Sequence, residues 1–166
     1  MGATRPPFLI MERLKIIQDT REQTPWALDP AFCDVQVATL KTGDYALVDD
    51  PRFAIERKGL DDFLGTIATG WDRFCRELQR MEDAEFVAKV IIVESDFRRV
   101  CFRYNSETGE LLGPNHNHPN LTPQFVAKRI AQLTMRGVSV LFAGDRSVAA
   151  GLAVTIFRER KEQWNS

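Results

Sequence analysis

Cysteine is scarce in this chain: Cys33, Cys75 and Cys101 stand far apart and form no CxxC pair. An odd, isolated set excludes a disulfide framework, argues against a zinc site and fits a reducing compartment. An excess of either charge is also lacking, with 22 Lys plus Arg against 23 Asp plus Glu. The chain therefore has no overall basicity with which to attract nucleic acid, and any such contact has to come from a local patch. No apolar run approaches the ~20 residues that cross a bilayer. The first residues, MGATRPPFLIMER, carry charges and prolines where a signal peptide needs an apolar stretch, and Pro6 stands where a myristoylation signal needs Ser or Thr. Internal repeats and low-complexity tracts are absent. An intracellular protein is expected, cytoplasmic or, in a eukaryote, nuclear, with no membrane and no nucleotide cofactor among its partners.

What is present reads as a single domain over residues 1–166, with a flexible arm at 1–12. LKIIQDT (Leu14 to Thr20) and VQVATL (Val35 to Leu40) are β-type runs, separated by a segment in which Pro25 stops regular structure. From Leu60 the period becomes helical through Phe63, Leu64 and Ile67, with Gly70 as terminator. A second helix from about Trp71 to Phe86 buries Phe74, Leu78 and Met81. AKVIIVES (Ala88 to Ser95) is a buried strand, Asp96 to Tyr104 is mixed, and 105–120 is a loop rich in Gly, Pro and Asn. Thr122 and Pro123 open a helix that stops at Gly137, VSVLFAG forms a last strand, and Arg146 to Gln163 a last helix. The order implies an α/β fold: a mixed β-sheet, antiparallel at one hairpin and parallel elsewhere, flanked by helices on both faces.

That hairpin is the informative stretch, GDYALVDDPRFAIERK from Gly43 to Lys58. Turn residues Asp49, Asp50 and Pro51 place the fold-back near Asp50. Tyr45 then faces Ile55, Leu47 faces Phe53, and Asp44 faces Glu56. Directly opposed side chains sit roughly 5 Å apart, where like charges repel, so the pairing makes sense chiefly with a cation between them. Alternation puts Lys58 on the face of Glu56 and Arg57 on the other.

The triplet alone carries little weight, because Glu159-Arg160-Lys161 repeats it in a helical segment with no partnered Asp. Context distinguishes the first copy. GDY, a short hairpin, IERK, three residues and Asp62 together resemble the signature of the XPF, Mus and Hef group of structure-selective DNA nucleases, within the restriction-endonuclease-like superfamily. IIQDTREQ is similar to that group's segment containing Asp19, Arg21 and Glu22. WDRFCREL resembles the arginine-containing helix of bacterial and phage-like members, and VIIVES and VLFAGDRSVAA their later core elements. The likeness spans roughly Leu14 to Leu152. The group's usual tandem helix-hairpin-helix domain is not expected within these residues, and a homodimer is an expectation that comes from the resemblance.

The resemblance implies a Mg2+- or Mn2+-dependent endonuclease that cuts branched, flap or junction DNA. Asp44 and Glu56 are then the first ligands, since carboxylate oxygens suit these hard cations. Asp19 and Glu22 could hold a second ion or orient a water. Lys58 would position or deprotonate the attacking water, its pKa lowered by neighbouring cations or burial. Arg57 braces the hairpin or a helix, Asp62 serves the helix start, and Arg21 and Arg73 are candidates for phosphate contact. Structural alternatives stand beside each: Asp19 as a turn cap, Glu56 and Lys58 as a surface ion pair, and the arginines of the second helix as solvated or paired with Glu77 and Glu82.

Arg98, Arg99 and Arg103, interleaved with Phe97, Phe102 and Tyr104, have the composition of a surface that tracks a nucleic-acid backbone, and equally that of a strand with one buried face. His116-Asn117-His118 spells HNH, but true HNH nucleases spread these residues over a ββα unit, and the tripeptide is read as coincidence. Two other functions share this core: a catalytically inactive DNA-binding or assembly subunit, and a sequence-specific restriction-type enzyme.

Overall fold

The computed structural model describes residues 12–105, 107–114 and 121–165. Among the described residues eight strands and five helices run in the order β1 (Leu14–Asp19), β2 (Cys33–Ala38), β3 (Tyr45–Leu47), β4 (Asp50–Lys58), α1 (Leu60–Ile67), α2 (Trp71–Asp83), β5 (Ala88–Val93), α3 (Phe97–Cys101), β6 (Phe102–Tyr104), β7 (Leu111–Pro114), α4 (Pro123–Met135), β8 (Val138–Phe142) and α5 (Arg146–Asn165). Six strands form one sheet in the order β2-β1-β3-β4-β5-β8. Within it β3 alone runs antiparallel to its neighbours, while β1–β2, β4–β5 and β5–β8 pair in parallel. The expected α/β architecture is the one observed.

Each face of the sheet buries its own core. On one side Phe63, Leu64 and Ile67 of α1, Phe74, Leu78 and Met81 of α2, and Val126 and Leu133 of α4 pack on Ala54, Ile91 and Val93. On the other, Ala149, Ala153 and Phe157 of α5 and Trp26 cover Ile16, Tyr45, Leu47, Phe53, Ile55 and Ile92. Tyr45, Leu47, Phe53 and Ile55 of the hairpin thus lie together in the second core. Strand β5 is apolar on both faces because it is covered on both, as parallel central strands are. At the outer edge β2 leaves Val35 and Val37 exposed.

Two expectations about local structure require correction. Strands β3 and β4 pair Tyr45 with Ile55 and Ala46 with Ala54, as expected, but Leu47 lies opposite Asp50 and not Phe53. The chain folds back at Val48-Asp49, and the surplus residues of β4 form a bulge. Asp50 is buried and is held out of the turn by Arg160 of α5, whose Nε donates to its Oδ2 at 2.7 Å. The stretch 105–120 is not all loop, because β7 pairs with β6 in a small second sheet. Asn105 Oδ1 accepts from the Glu107 and Thr108 amides, and Gly109 takes φ 72°, which together close a hairpin. His116 and His118 lie outside the described residues.

Candidate active site

The parallel strands β1 and β4 end at one edge of the sheet, and β3 begins there. This edge, the carboxyl end of an open α/β sheet, is where such folds bind ligands. Asp19 closes β1, Asp44 precedes β3, and Glu56, Arg57 and Lys58 close β4. The Asp44 amide donates to Ile55 O at 3.0 Å and the Asp19 amide to Asp44 O at 2.8 Å, so Asp44 is clamped between two strands. Asp44 lies one residue before the Tyr45–Ile55 pair, and its Oδ2 accepts from the Arg57 amide at 2.7 Å. Lys58 Nζ lies 2.8 Å from Glu56 Oε1 on the same strand face.

The two acids feel each other. Burial, reinforced by the Glu56 charge, pushes the Asp44 carboxyl up to about 7. Burial also raises Glu56, with Glu77 and Glu22 adding to the effect and Lys58 opposing it. The expectation for Lys58 is corrected. Burial alone would lower its pKa, but the Glu56 carboxylate, with Asp44 and Glu77 behind it, outweighs burial and raises it. Lys58 is held as an ammonium.

Arg57 points the other way, as alternation requires. Its Nε and Nη2 donate to the two Glu94 oxygens at 2.7 Å each, and Nη1 donates to Thr24 Oγ1 at 2.7 Å and reaches Glu22 Oε1 at 3.4 Å. Glu94 also accepts from Trp26 Nε1 at 2.7 Å, and the Trp26 ring stacks on Tyr45 at 4.6 Å. Arg57 therefore fastens β4 to the end of β5 and to the segment after β1. Glu22 is held in that bracing network, yet its charge still reaches Asp44 and Glu56.

Asp19 is engaged on both oxygens. Oδ1 accepts from the Arg21 amide and Nε, and Oδ2 from Arg21 Nη2 and the Leu40 amide at 2.6 Å. Burial would raise this carboxyl, but Arg21 and the two amides hold it below its usual value. Among the described residues no group of three or more His, Cys, Asp or Glu side chains is arranged to hold a metal ion.

An open cleft of about 500 Å³ leads away from Lys58, lined by Asp61, Asp62, Gly65, Thr66, Thr69, Gly70 and Arg73. Arg73 and Asp62 thus share a cleft with Lys58, and Asp62 faces it from the first turn of α1. Arg98 and Arg99 are exposed on α3, just past the end of β5, where Asp96 caps the helix through both their amides. The Arg103 side chain lies outside what the structure describes.

Sequence reading missed Glu77 and Glu94. Glu77 accepts from Thr42 Oγ1 at 2.8 Å and so ties its helix to the loop before β3. Its place between Phe74 and Leu78, on the flank of the buried stripe, was the available signal. Glu94 ends the apolar run of β5, and a carboxylate that terminates a buried strand needs a partner. The C-terminal copy of the triplet is structural: Arg160 pairs with Asp50, and Lys161 with Glu12 at 2.9 Å.

Residues 18–156 match the ERCC4 domain model. The chain is a member of the ERCC4 domain family. Its fold is that of an XPF-type nuclease domain. The solved XPF from Aeropyrum pernix is 19% identical over 89% of this chain, with a TM-score of 0.62. The same protein solved in complex with DNA is 21% identical over 91% of the chain, also at 0.62. This chain spans 65% and 66% of the length of those two structures. No curated protein matches the sequence at a significant level. The ERCC4 match takes in the Asp19 segment, the hairpin, α2 and most of α5, so the site described above lies wholly inside it.

Proposed function

We propose that this ERCC4 domain is a divalent-metal-dependent DNA endonuclease that acts inside the cell on branched, flap or junction DNA. The observation that carries the reading is the clamped Asp44, whose carboxyl feels the Glu56 charge, with Lys58 ion-paired to Glu56. Membership of a nuclease-domain family and the DNA complex of the Aeropyrum XPF support it.

The residues fit a hard cation. Asp44 and Glu56 would hold Mg2+ or Mn2+, because their oxygens are the donors these ions prefer and their enforced repulsion is what a cation relieves. A bound ion would supply charge neutralisation at the scissile phosphate and a lowered proton affinity in the attacking water. A second ion at Asp19 and Glu22 would require Asp19 to give up Arg21 and Leu40, so the one-ion site is the better supported. Lys58, as an ammonium, would orient the water and stabilise charge that develops on the phosphate. Arg73, Thr66 and Thr69 line the cleft along which the flanking backbone would run, Arg98 and Arg99 add positive charge at the same sheet edge, and Arg21, 66% exposed on its side chain, is available to a phosphate.

Cleavage of labelled flap, junction and linear duplex DNA in Mn2+ tests this. Wild type should cut, with branched substrates preferred, whereas Lys58→Ala and Asp44→Asn should lose cutting by more than about a hundredfold while melting as cooperatively as wild type. If both variants cut like wild type, the assignment is wrong. Binding without cleavage in wild type would make the domain a DNA-binding subunit.

A further inference from the structure

The loop that delivers Asp44 to the site, residues 39–44, belongs to no strand. Its start is tied down at Leu40, whose amide donates to Asp19 Oδ2 and whose carbonyl accepts from Arg21 Nη2. Its end is tied down from a different element. Thr42 Oγ1 donates to Glu77 Oε1 of α2 at 2.8 Å, and Thr42 lies two residues before Asp44. Between them Gly43 takes φ 79°, with a built Cβ only 2.8 Å from Ala54 Cβ, so this stretch has little freedom to rearrange.

Helix α2 is itself fixed by the core, through Phe74, Leu78 and Met81. Glu77 projects from the flank of that buried stripe. It shares with Thr42, Gly43 and Glu56 the lining of a small cavity of about 20 Å³, roughly the room of one water. The loop that carries Asp44 is thus tied by a bond made outside the hairpin.

We propose that Glu77 is a positioning residue: through its bond to Thr42, α2 sets where Asp44 stands relative to Glu56 and thereby sets the divalent-metal affinity of the site. The inference rests on the metal-dependent reading above and extends it to a helix that carries no assigned ligand. Glu77 acts on the ion through Thr42 and the Asp44 backbone, as residues outside the ligand set do when they orient a ligand.

Titration calorimetry of the intact protein with Mn2+ alone, without DNA, tests it, beside thermal melting as a control for folding. Thr42→Val and Glu77→Ala should each weaken Mn2+ binding about tenfold. The double variant should be no worse than either single one, because both remove the same bond. Thr42→Ser and Glu77→Gln each keep a donor or acceptor in place and should recover most of the affinity. Should Glu77→Ala fold poorly, Thr42→Val and Thr42→Ser probe the same bond from an accessible loop. Glu77→Ala binding Mn2+ like wild type overturns the proposal, as do additive losses in the double variant or a Glu77→Gln as weak as Glu77→Ala. Wild type that takes up no Mn2+ overturns the metal-dependent reading itself, a result distinct from insensitive variants of a protein that does.

Discussion

At the scale of single residues the site is held in a state that the fold alone disfavours. Asp44 has an ordinary carboxyl value of 3.8 and is raised to about 7 in the folded protein, by burial and then by Glu56. A group raised on folding contributes stability that is fully present below its unfolded value and is lost as pH climbs through the folded one. Metal-free protein should therefore lose stability between pH 4 and pH 7, by roughly 4 kcal/mol for Asp44. Melting curves in a chelator should show the midpoint falling across this range, and Asp44→Asn should flatten the fall and melt above wild type at pH 8. Mn2+ should reverse the effect, raising the wild-type midpoint more at pH 8 than at pH 5, because protons and the cation compete for the same oxygens. A wild-type midpoint that rises steadily from pH 4 to pH 8 in chelator would contradict the raised carboxyl.

Arg57 makes the opposite case, a residue of the same triplet whose side chain bonds to Glu94, Thr24 and Glu22. Its fork fits the Glu94 carboxylate, and side chains on both sides are about one tenth exposed. Removing one partner from such a buried pair leaves a charge unpaired at a cost of about 3–5 kcal/mol. Arg57→Ala should accordingly lower the midpoint of denaturant unfolding sharply, with the loss of cutting following from the loss of folded protein. Arg57→Ala that is folded and stable but inactive would move Arg57 into the chemistry.

At the scale of elements the hairpin shows what a sequence reveals and what it conceals. Alternation and turn residues correctly paired Tyr45 with Ile55 and put Lys58 and Arg57 on opposite faces, because these follow from the two-residue period of a strand. The Leu47 pairing failed because the bulge is set by Asp50, whose partner Arg160 lies 110 residues away. Strand β7 was hidden by its own composition, and Glu77 by a helix face that looked merely charged. In each failure the deciding contact is tertiary and leaves no periodic trace. Gly43 turns the point into a measurement. Both Gly43 and Gly137 have positive φ, but a Cβ at Gly43 would strike Ala54 whereas one at Gly137 meets nothing within 4 Å. Gly137→Ala should cost only the left-handed strain, about 1–2 kcal/mol, while Gly43→Ala should cost more and also weaken Mn2+ binding by shifting Asp44. Equal losses in the two variants would mean that the hairpin has room to yield.

At the scale of the whole molecule, a net charge of −1 means that affinity for DNA cannot come from the overall field. On the proposed function it would come from one sheet edge, where Lys58 and Arg73 line a cleft and Arg98 and Arg99 follow the end of β5. Each phosphate contact contributes a slope of about −0.9 to the logarithm of affinity against the logarithm of salt on duplex DNA. Arg73→Gln should therefore weaken binding to every DNA tested and make the salt dependence shallower by about one unit, measured in chelator so that no strand is cut. Arg52 supplies the control, since it sits near the start of β4, at the opposite edge of the sheet, with Glu85 4.0 Å away. Arg52→Gln should leave both the affinity and the slope unchanged. If the two variants behave alike, the cleft beside Lys58 is not the path of the backbone, and the positive charge that matters lies with Arg98 and Arg99 on α3.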